Sequence, residues 1–184
     1  MKNVLFMSLL ALFGTFATAA EPIHSDAKSV GAWELFELDW NVSNGTQGLV
    51  GLITSGDCYV TAVGGGGRTC DVVHTNRQTH HGSAAWEHFK LIQIQGNEYI
   101  LLTYDDYLVT VVGGGGRNHD VIHTDLKYDT NKPAAEQGGS WERIKVIHWS
   151  TGPGGVPQYA LETANGNYLT AVNGGGKGWY PCRR

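Results

Sequence analysis

The chain of 184 residues is poor in several things, and each shortage narrows what it can be. Its three cysteines, Cys58, Cys70 and Cys182, allow at most one intramolecular disulfide, in any of three pairings. Stability must then come from a hydrophobic core rather than from a disulfide scaffold. Charged residues make up only 16%, and the formal net charge is −4 at pH 7. Without a basic excess, neither nucleic acid nor an anionic membrane is an expected partner. Beyond residue 20 no apolar run approaches the roughly 20 residues that cross a bilayer, so membrane insertion is not expected. The same stretch lacks any long apolar stripe at helical spacing. Chemistry-bearing motifs are missing too: G-x-x-x-x-G-K-[ST], H-E-x-x-H, paired-cysteine zinc spacing and G-x-S-x-G all fail to occur. No catalytic residue, metal or cofactor is therefore expected, and the protein reads as a non-enzyme.

What is present begins with residues 1–20. Lys2, an apolar run and Ala17-Thr18-Ala19 form a charged start, a short hydrophobic stretch and a small-residue cleavage site. That pattern predicts a cleaved signal peptide and a secreted or periplasmic product. Residues 21–30 read as an N-terminal lead-in to the fold.

Glycine is abundant instead of scarce, at 26 residues, and it recurs in register. Residues 52–75, LITSGDCYVTAVGGGGRTCDVVHT, align without a gap to residues 101–124, LLTYDDYLVTVVGGGGRNHDVIHT. A third copy, residues 161–184, keeps Leu161, Thr163, Thr170, Val172 and Gly174–Gly176. A second marker precedes each copy: Trp33-Glu34-Leu35-Phe36, Trp86-Glu87-His88-Phe89 and Trp141-Glu142-Arg143-Ile144. Three units of about 50 residues thus fill residues 31–184, at about 31–85, 86–140 and 141–184.

Each unit reads as four short strands. The second and third, such as Gly51–Ser55 and Tyr59–Val63, flank a tight turn at Gly56-Asp57, matched by Asp105-Asp106 and Asn165-Gly166. The fourth is Asp71–Thr75, matched by Asp120–Thr124. Short strands with turn signals between them predict an all-β fold. Threefold repetition of a four-stranded unit predicts a β-trefoil with pseudo-threefold symmetry, whose closed barrel leaves few sheet edges exposed. Trp33, Trp86 and Trp141, with Phe36, Phe89, Leu38, Leu91 and Val146, are expected to share its core.

The order Tyr-x-Thr-Ala, glycine-rich turn, short strand, Trp-Glu-x-Phe resembles the fascin-like β-trefoil family. Tyr59-Val60-Thr61-Ala62 followed by Trp86-Glu87-His88-Phe89 carries the match, together with Tyr168-Leu169-Thr170-Ala171. The resemblance implies a trefoil over about residues 30–184. It also implies a binding role, since such units occur as actin-bundling domains and as appendages of secreted carbohydrate-active enzymes. The Gln-x-Trp motif of ricin-type trefoils does not occur.

Candidate site residues follow from the repeat. Arg68, Arg117 and Lys177 close the three glycine clusters, whose unshielded amides could cup an anion or simply make a bend that no side chain fits. Asp71 and Asp120 precede His74 and His123 by three residues; on a continuous strand each pair would point to opposite faces. The third copy has Tyr180 and Arg183 there, so the motif counts twice. Trp40 and Trp149 lie in variable segments, either as exposed rings of the kind sugars stack on or as partly buried strand ends. Glu34, Glu87 and Glu142 recur three times, which speaks against a two-carboxylate glycosidase. Asn41 and Asn44 head glycosylation sequons. The expected function is lectin-like recognition of an extracellular or envelope glycan or polysaccharide. The alternative is a protein partner held by the Asp125–Ser140 loop, as an inhibitor or neutralising module; actin-type bundling ranks third.

Overall fold

A computed structural model describes residues 21–42 and 48–178. The signal-peptide reading of residues 1–20, the Asn44 sequon, Ser43 of the Asn41 sequon, and Tyr180, Cys182 and Arg183 lie outside these residues. The described chain is all-β, with no α-helix among its elements. Its strands are β1 (Ile23–Ala27), β2 (Leu35–Asp39), β3 (Leu49–Thr54), β4 (Cys58–Ala62), β5 (Val73–Gln78), β6 (Phe89–Gln95), β7 (Glu98–Leu102), β8 (Tyr107–Val111), β9 (Ile122–Lys127), β10 (Arg143–Thr151), β11 (Pro157–Glu162) and β12 (Tyr168–Ala171).

The turns form where the residue types require them. Asp57, Asp106 and Gly166 have φ of +56°, +61° and +72°, the left-handed conformation that closes each β3–β4, β7–β8 and β11–β12 hairpin. The pairing of β2 with β3, β3 with β6, β6 with β7, β7 with β10, β10 with β11 and β11 back with β2 closes a six-stranded antiparallel barrel. The remaining strands form three pairs outside the ring: β4 with β5, β8 with β9, and β12 with β1. A closed ring with three hairpin-like pairs is a trefoil-like architecture.

The third pair departs from the sequence reading. Its fourth strand comes from the N-terminus, because β1 pairs with β12 through Ile23↔Ala171 and His24↔Thr170. The equivalent registers are Val73↔Ala62 with His74↔Thr61, and Ile122↔Val111 with His123↔Thr110. Glu21-Pro22-Ile23-His24-Ser25 is thus the third version of Asp71-Val72-Val73-His74-Thr75, and the histidine motif occurs three times. The two ends of the chain complete one unit together.

The core is built in sets of three. Leu52, Leu101 and Leu161 are buried, as are Val60, Val109 and Leu169, and Ile23, Val73 and Ile122. Phe36, Phe89 and Ile144 fill the next layer, 1%, 2% and 2% exposed. An apolar cavity of about 30 Å³ remains at the centre, lined by Phe36, Phe89, Leu52, Leu101 and Leu161 among others. Cavities that hold a benzene-sized guest are about 150 Å³, so the barrel interior is not a ligand site.

The three marker tryptophans are not in that core. Trp33, Trp86 and Trp141 are 48%, 50% and 48% exposed. Each sits in a single 3-10 turn, at Ala32–Glu34, Ala85–Glu87 and Ser140–Glu142, which ends just before the barrel strand begins. The turn keeps the indole outside, and the chain enters the barrel only at the residue three places on. The marker's buried member is instead its glutamate. Glu87 accepts the Ala84 N–H at 2.8 Å and the Thr61 hydroxyl at 2.7 Å. Glu34 does the same with Gly31 and Thr170, and Glu142 with Gly139 and Thr110. These buried carboxylates satisfy turn amides and tie neighbouring units together, which explains why all three recur.

Candidate functional site

The glycine clusters lie at the seams between units. Gly65, Gly66 and Gly67 have φ of +78°, +114° and +76°. A Cβ on Gly66 would come within 2.6 Å of Thr103 Oγ1, and one on Gly65 within 2.1 Å of Asp105 Oδ2. Gly115 approaches Thr163 and Gly175 approaches Thr54 in the same way, at 2.3 and 2.5 Å. The first unit's turn therefore seats on the second, the second on the third, and the third on the first. The following amides are taken up across the same seams. Gly67 N–H donates to Thr124 O, Gly116 to Ser25 O and Gly176 to Thr75 O, at 2.7, 2.6 and 2.5 Å. Amides engaged in this way do not cup an anion.

The cations close the seams with their backbones. The Arg68 carbonyl accepts Thr124 N–H, Arg117 accepts Ser25 N–H, and Lys177 accepts Thr75 N–H. The arginine side chains turn back on their own loops. Arg117 Nη2 lies 3.1 Å from Asp120 Oδ2, and Arg68 Nη2 lies 3.6 Å from Asp71 Oδ2. Each aspartate also accepts from a histidine: His74 Nε2 and His123 Nε2 lie 2.7 Å from Asp71 Oδ1 and Asp120 Oδ1.

Asp71 and His74 were expected to face opposite ways, and here the structure corrects the reading. The strand starts at Val73, not Asp71, and Asp71 has φ of +49°. That left-handed residue swings its carboxylate back over the strand to the histidine; Asp120, at φ +50°, repeats it. In the third unit Glu21 takes another route, accepting the backbone N–H groups of Asp120 and Val121 at 2.5 and 3.3 Å. These clusters are internally neutralised cation–carboxylate–histidine sets that shape loops. No group of three potential metal ligands occurs among the described residues.

Exposed aromatic surface lies elsewhere. Trp40 and Trp149 are 53% and 50% exposed, so both are surface rings rather than buried strand ends. With Trp33, Trp86 and Trp141 they make five half-exposed indoles. The Trp33 turn packs on the Val172–Gly174 turn, where its Cδ1 lies 3.7 Å from the site of a Gly174 Cβ. The Trp86 and Trp141 turns pack on the Val63–Gly65 and Val112–Gly114 turns. Trp149 meets Tyr168 edge to face, with centroids 6.4 Å apart. Cys58 is a buried free thiol and Cys70 is disulfide-bonded, which excludes a Cys58–Cys70 pairing.

No family model matches the chain, and no curated protein matches it. Among solved structures it is similar to a designed protein with threefold symmetry, ThreeFoil. The likeness has a TM-score of 0.49 at 11% identity, over 80% of this chain and 85% of that one. No helix among the described residues is long and apolar enough to cross a membrane.

The sequence carried one signal for the missing histidine unit. Glu-Pro-Ile-His-Ser at residues 21–25 repeats Asp-Val-Val-His-Thr with conservative changes except at Pro22, but it stands at the opposite end of the chain from its partner strand. No such signal marked Trp33, Trp86 and Trp141 as surface residues.

Proposed function

We propose that the chain is an exported, non-catalytic β-trefoil of three four-stranded units, fascin-like in its repeat, that recognises carbohydrate. One observation carries the reading: all five described tryptophans are 48–53% exposed, while the core is filled by Phe, Leu, Ile and Val. Folding does not require a large apolar ring in water at five places. An indole with one face open is the group against which the C–H face of a pyranose stacks. Three of the five recur at equivalent positions, so weak single contacts would combine into avidity on a polymer.

The geometry shifts the weight within the candidate residues. Arg68, Asp71, Arg117 and Asp120 form pairs with one another, and Lys177 enters a seam through its backbone. Trp40 and Trp149 are left as the candidates with open aromatic surface. The alternative, a protein partner at Asp125–Ser140, would have to use the outer rim of that loop, because Gln137 is 3% exposed and holds it shut. A glycan array with the purified exported chain, including acidic polysaccharides and peptidoglycan fragments, tests the proposal. Binding that survives Arg68→Ala with Arg117→Ala agrees with the tryptophan assignment. Binding lost with that pair returns the site to the glycine turns, and a blank array removes the carbohydrate reading.

A further inference from the structure

Among the described residues, the outer face of the third unit is less covered than those of the other two. The β6–β7 pairs Lys90↔Leu102 and Ile92↔Ile100 correspond to Lys145↔Glu162 and Ile147↔Ala160 in β10–β11. By the same count Ile94 corresponds to Trp149, and Leu108 to Tyr168. In the second unit Ile100, Leu102 and Leu108 form a cluster covered by Tyr128 and Ala134 from the segment after β9. Gln137 fastens that segment by donating to Asp129 O and Lys132 O at 2.6 and 3.0 Å. In the first unit Tyr59 is sealed by Val42 and Leu49, and its hydroxyl donates to Asp39 Oδ2 at 2.8 Å.

The links that carry those covers are shorter in the third unit. Residues 28–32 join β1 to Trp33, against 128–140 between β9 and Trp141, and residues 152–156 join β10 to β11, against 40–48 between β2 and β3. Tyr168 is half-buried, where its counterparts Tyr59 and Leu108 are 5% and 1% exposed. Trp149 stands over it at an interplanar angle of 67°. The sequence also changes chemistry here. Glu162 takes the place of Leu102 and Ile53, and Lys145 Nζ donates to Glu162 Oε1 at 2.6 Å. An acceptor and a donor thus stand side by side next to two aromatic rings.

We propose that this face binds a neutral pyranose ring. Trp149 stacks on the ring's C–H face, Tyr168 holds the indole upright, and Glu162 with Lys145 hydrogen-bonds a pair of vicinal hydroxyls. Neutral sugar is favoured over acidic sugar because the charges already balance: Lys145 pairs with Glu162, and Arg143 pairs with Glu98 at 3.6 Å. The inference rests on the carbohydrate reading above and narrows it to one unit and one ligand class.

Calorimetric titration with cellohexaose and chitohexaose, and with hexagalacturonate as the acidic counter-probe, tests it. The variants are Trp149→Ala, Trp149→Phe, Glu162→Gln and, as the control, Leu126→Ala. The expected result is binding of a neutral hexaose, weakened about tenfold or more by Trp149→Ala and by Glu162→Gln. Trp149→Phe should retain part of it and Leu126→Ala, at an exposed residue of the second unit, all of it, with every variant still folded and melting cooperatively. Undiminished binding by Trp149→Ala overturns the placement while leaving the carbohydrate reading intact. Binding of hexagalacturonate alone overturns the ligand class. Failure to bind either neutral hexaose, with glycans bound on the array, overturns this inference only; a blank array as well overturns both.

Discussion

Replacing Gly66 by alanine should damage the fold far more than replacing Gly64, two residues earlier in the same glycine run, by asparagine. Gly66 has φ +114° and ψ −161°, a region essentially restricted to glycine, where a side chain costs about 1–3 kcal/mol. The new Cβ would also stand 2.6 Å from Thr103 Oγ1 and 2.9 Å from Tyr107 Cδ2. Overpacking of that kind adds about 1–3 kcal/mol. The total, about 2–6 kcal/mol, corresponds to a drop of roughly 5–20 °C in melting temperature for a domain of this size. Gly64 sits at φ +68°, and the nearest atom to its Cβ site is Arg68 Nη1 at 3.7 Å. The chain itself demonstrates that a side chain fits there, since Asn173 occupies the equivalent place at φ +58°. Gly64→Asn should cost about 1 kcal/mol. Thermal unfolding followed by circular dichroism reads both. Equal, small shifts would refute the argument that Gly66 is required by the seam against the second unit.

Three further outcomes follow from the described contacts. Phe89→Ala should cost about 3–5 kcal/mol because Phe89 is 2% exposed, whereas Trp86→Ala, at a half-exposed indole, should cost about 1 kcal/mol; chemical denaturation compares them. Tyr59 should ionise late, at about pH 12, because burial and the hydrogen bond and charge of Asp39 disfavour its phenolate. Its folded pKa lies above the unfolded value of 10.0, so the folded state keeps this proton longer. Its stabilising contribution is complete below pH 10 and is lost between about pH 10 and 12, and ultraviolet titration should show the late phase moving down in Asp39→Asn. Cys58 should react with iodoacetamide only after unfolding, and Cys70 only after reduction, as read by peptide mass spectrometry.

How much was legible in the sequence depended on whether the signal was local. Turn chemistry at Asp57, Asp106 and Gly166 is a property of single residues and could be read directly, as could the threefold repeat behind the barrel. The glycine runs were visible, but the structure supplies their purpose, because Thr54, Thr103 and Thr163 lie in neighbouring units far along the chain. The Trp-Glu-x-Phe marker misled for a related reason. Large apolar residues are core by default, yet a 3-10 turn rotates Trp86 outward and leaves Phe89 to enter the barrel. Asp71 and His74 were separated on paper by a strand period that begins only at Val73. The N-terminal strand escaped because a linear alignment sought the third unit's last strand at the C-terminus, whereas a closed barrel accepts it from either end. Trp149 was singled out as a residue; its half-exposed setting over Tyr168, beside short links at 28–32 and 152–156, is a property of the assembled fold.

The central claim is that the exposed tryptophans are the binding surface, and footprinting them tests it most directly. The purified chain would be oxidised at indole with and without a saturating array-positive glycan, and each tryptophan followed by peptide mass spectrometry. The account predicts slower oxidation at one or more of Trp33, Trp40, Trp86, Trp141 and Trp149 in the bound protein, Trp149 foremost. Unchanged oxidation at all five, under a glycan that is demonstrably bound, would contradict it.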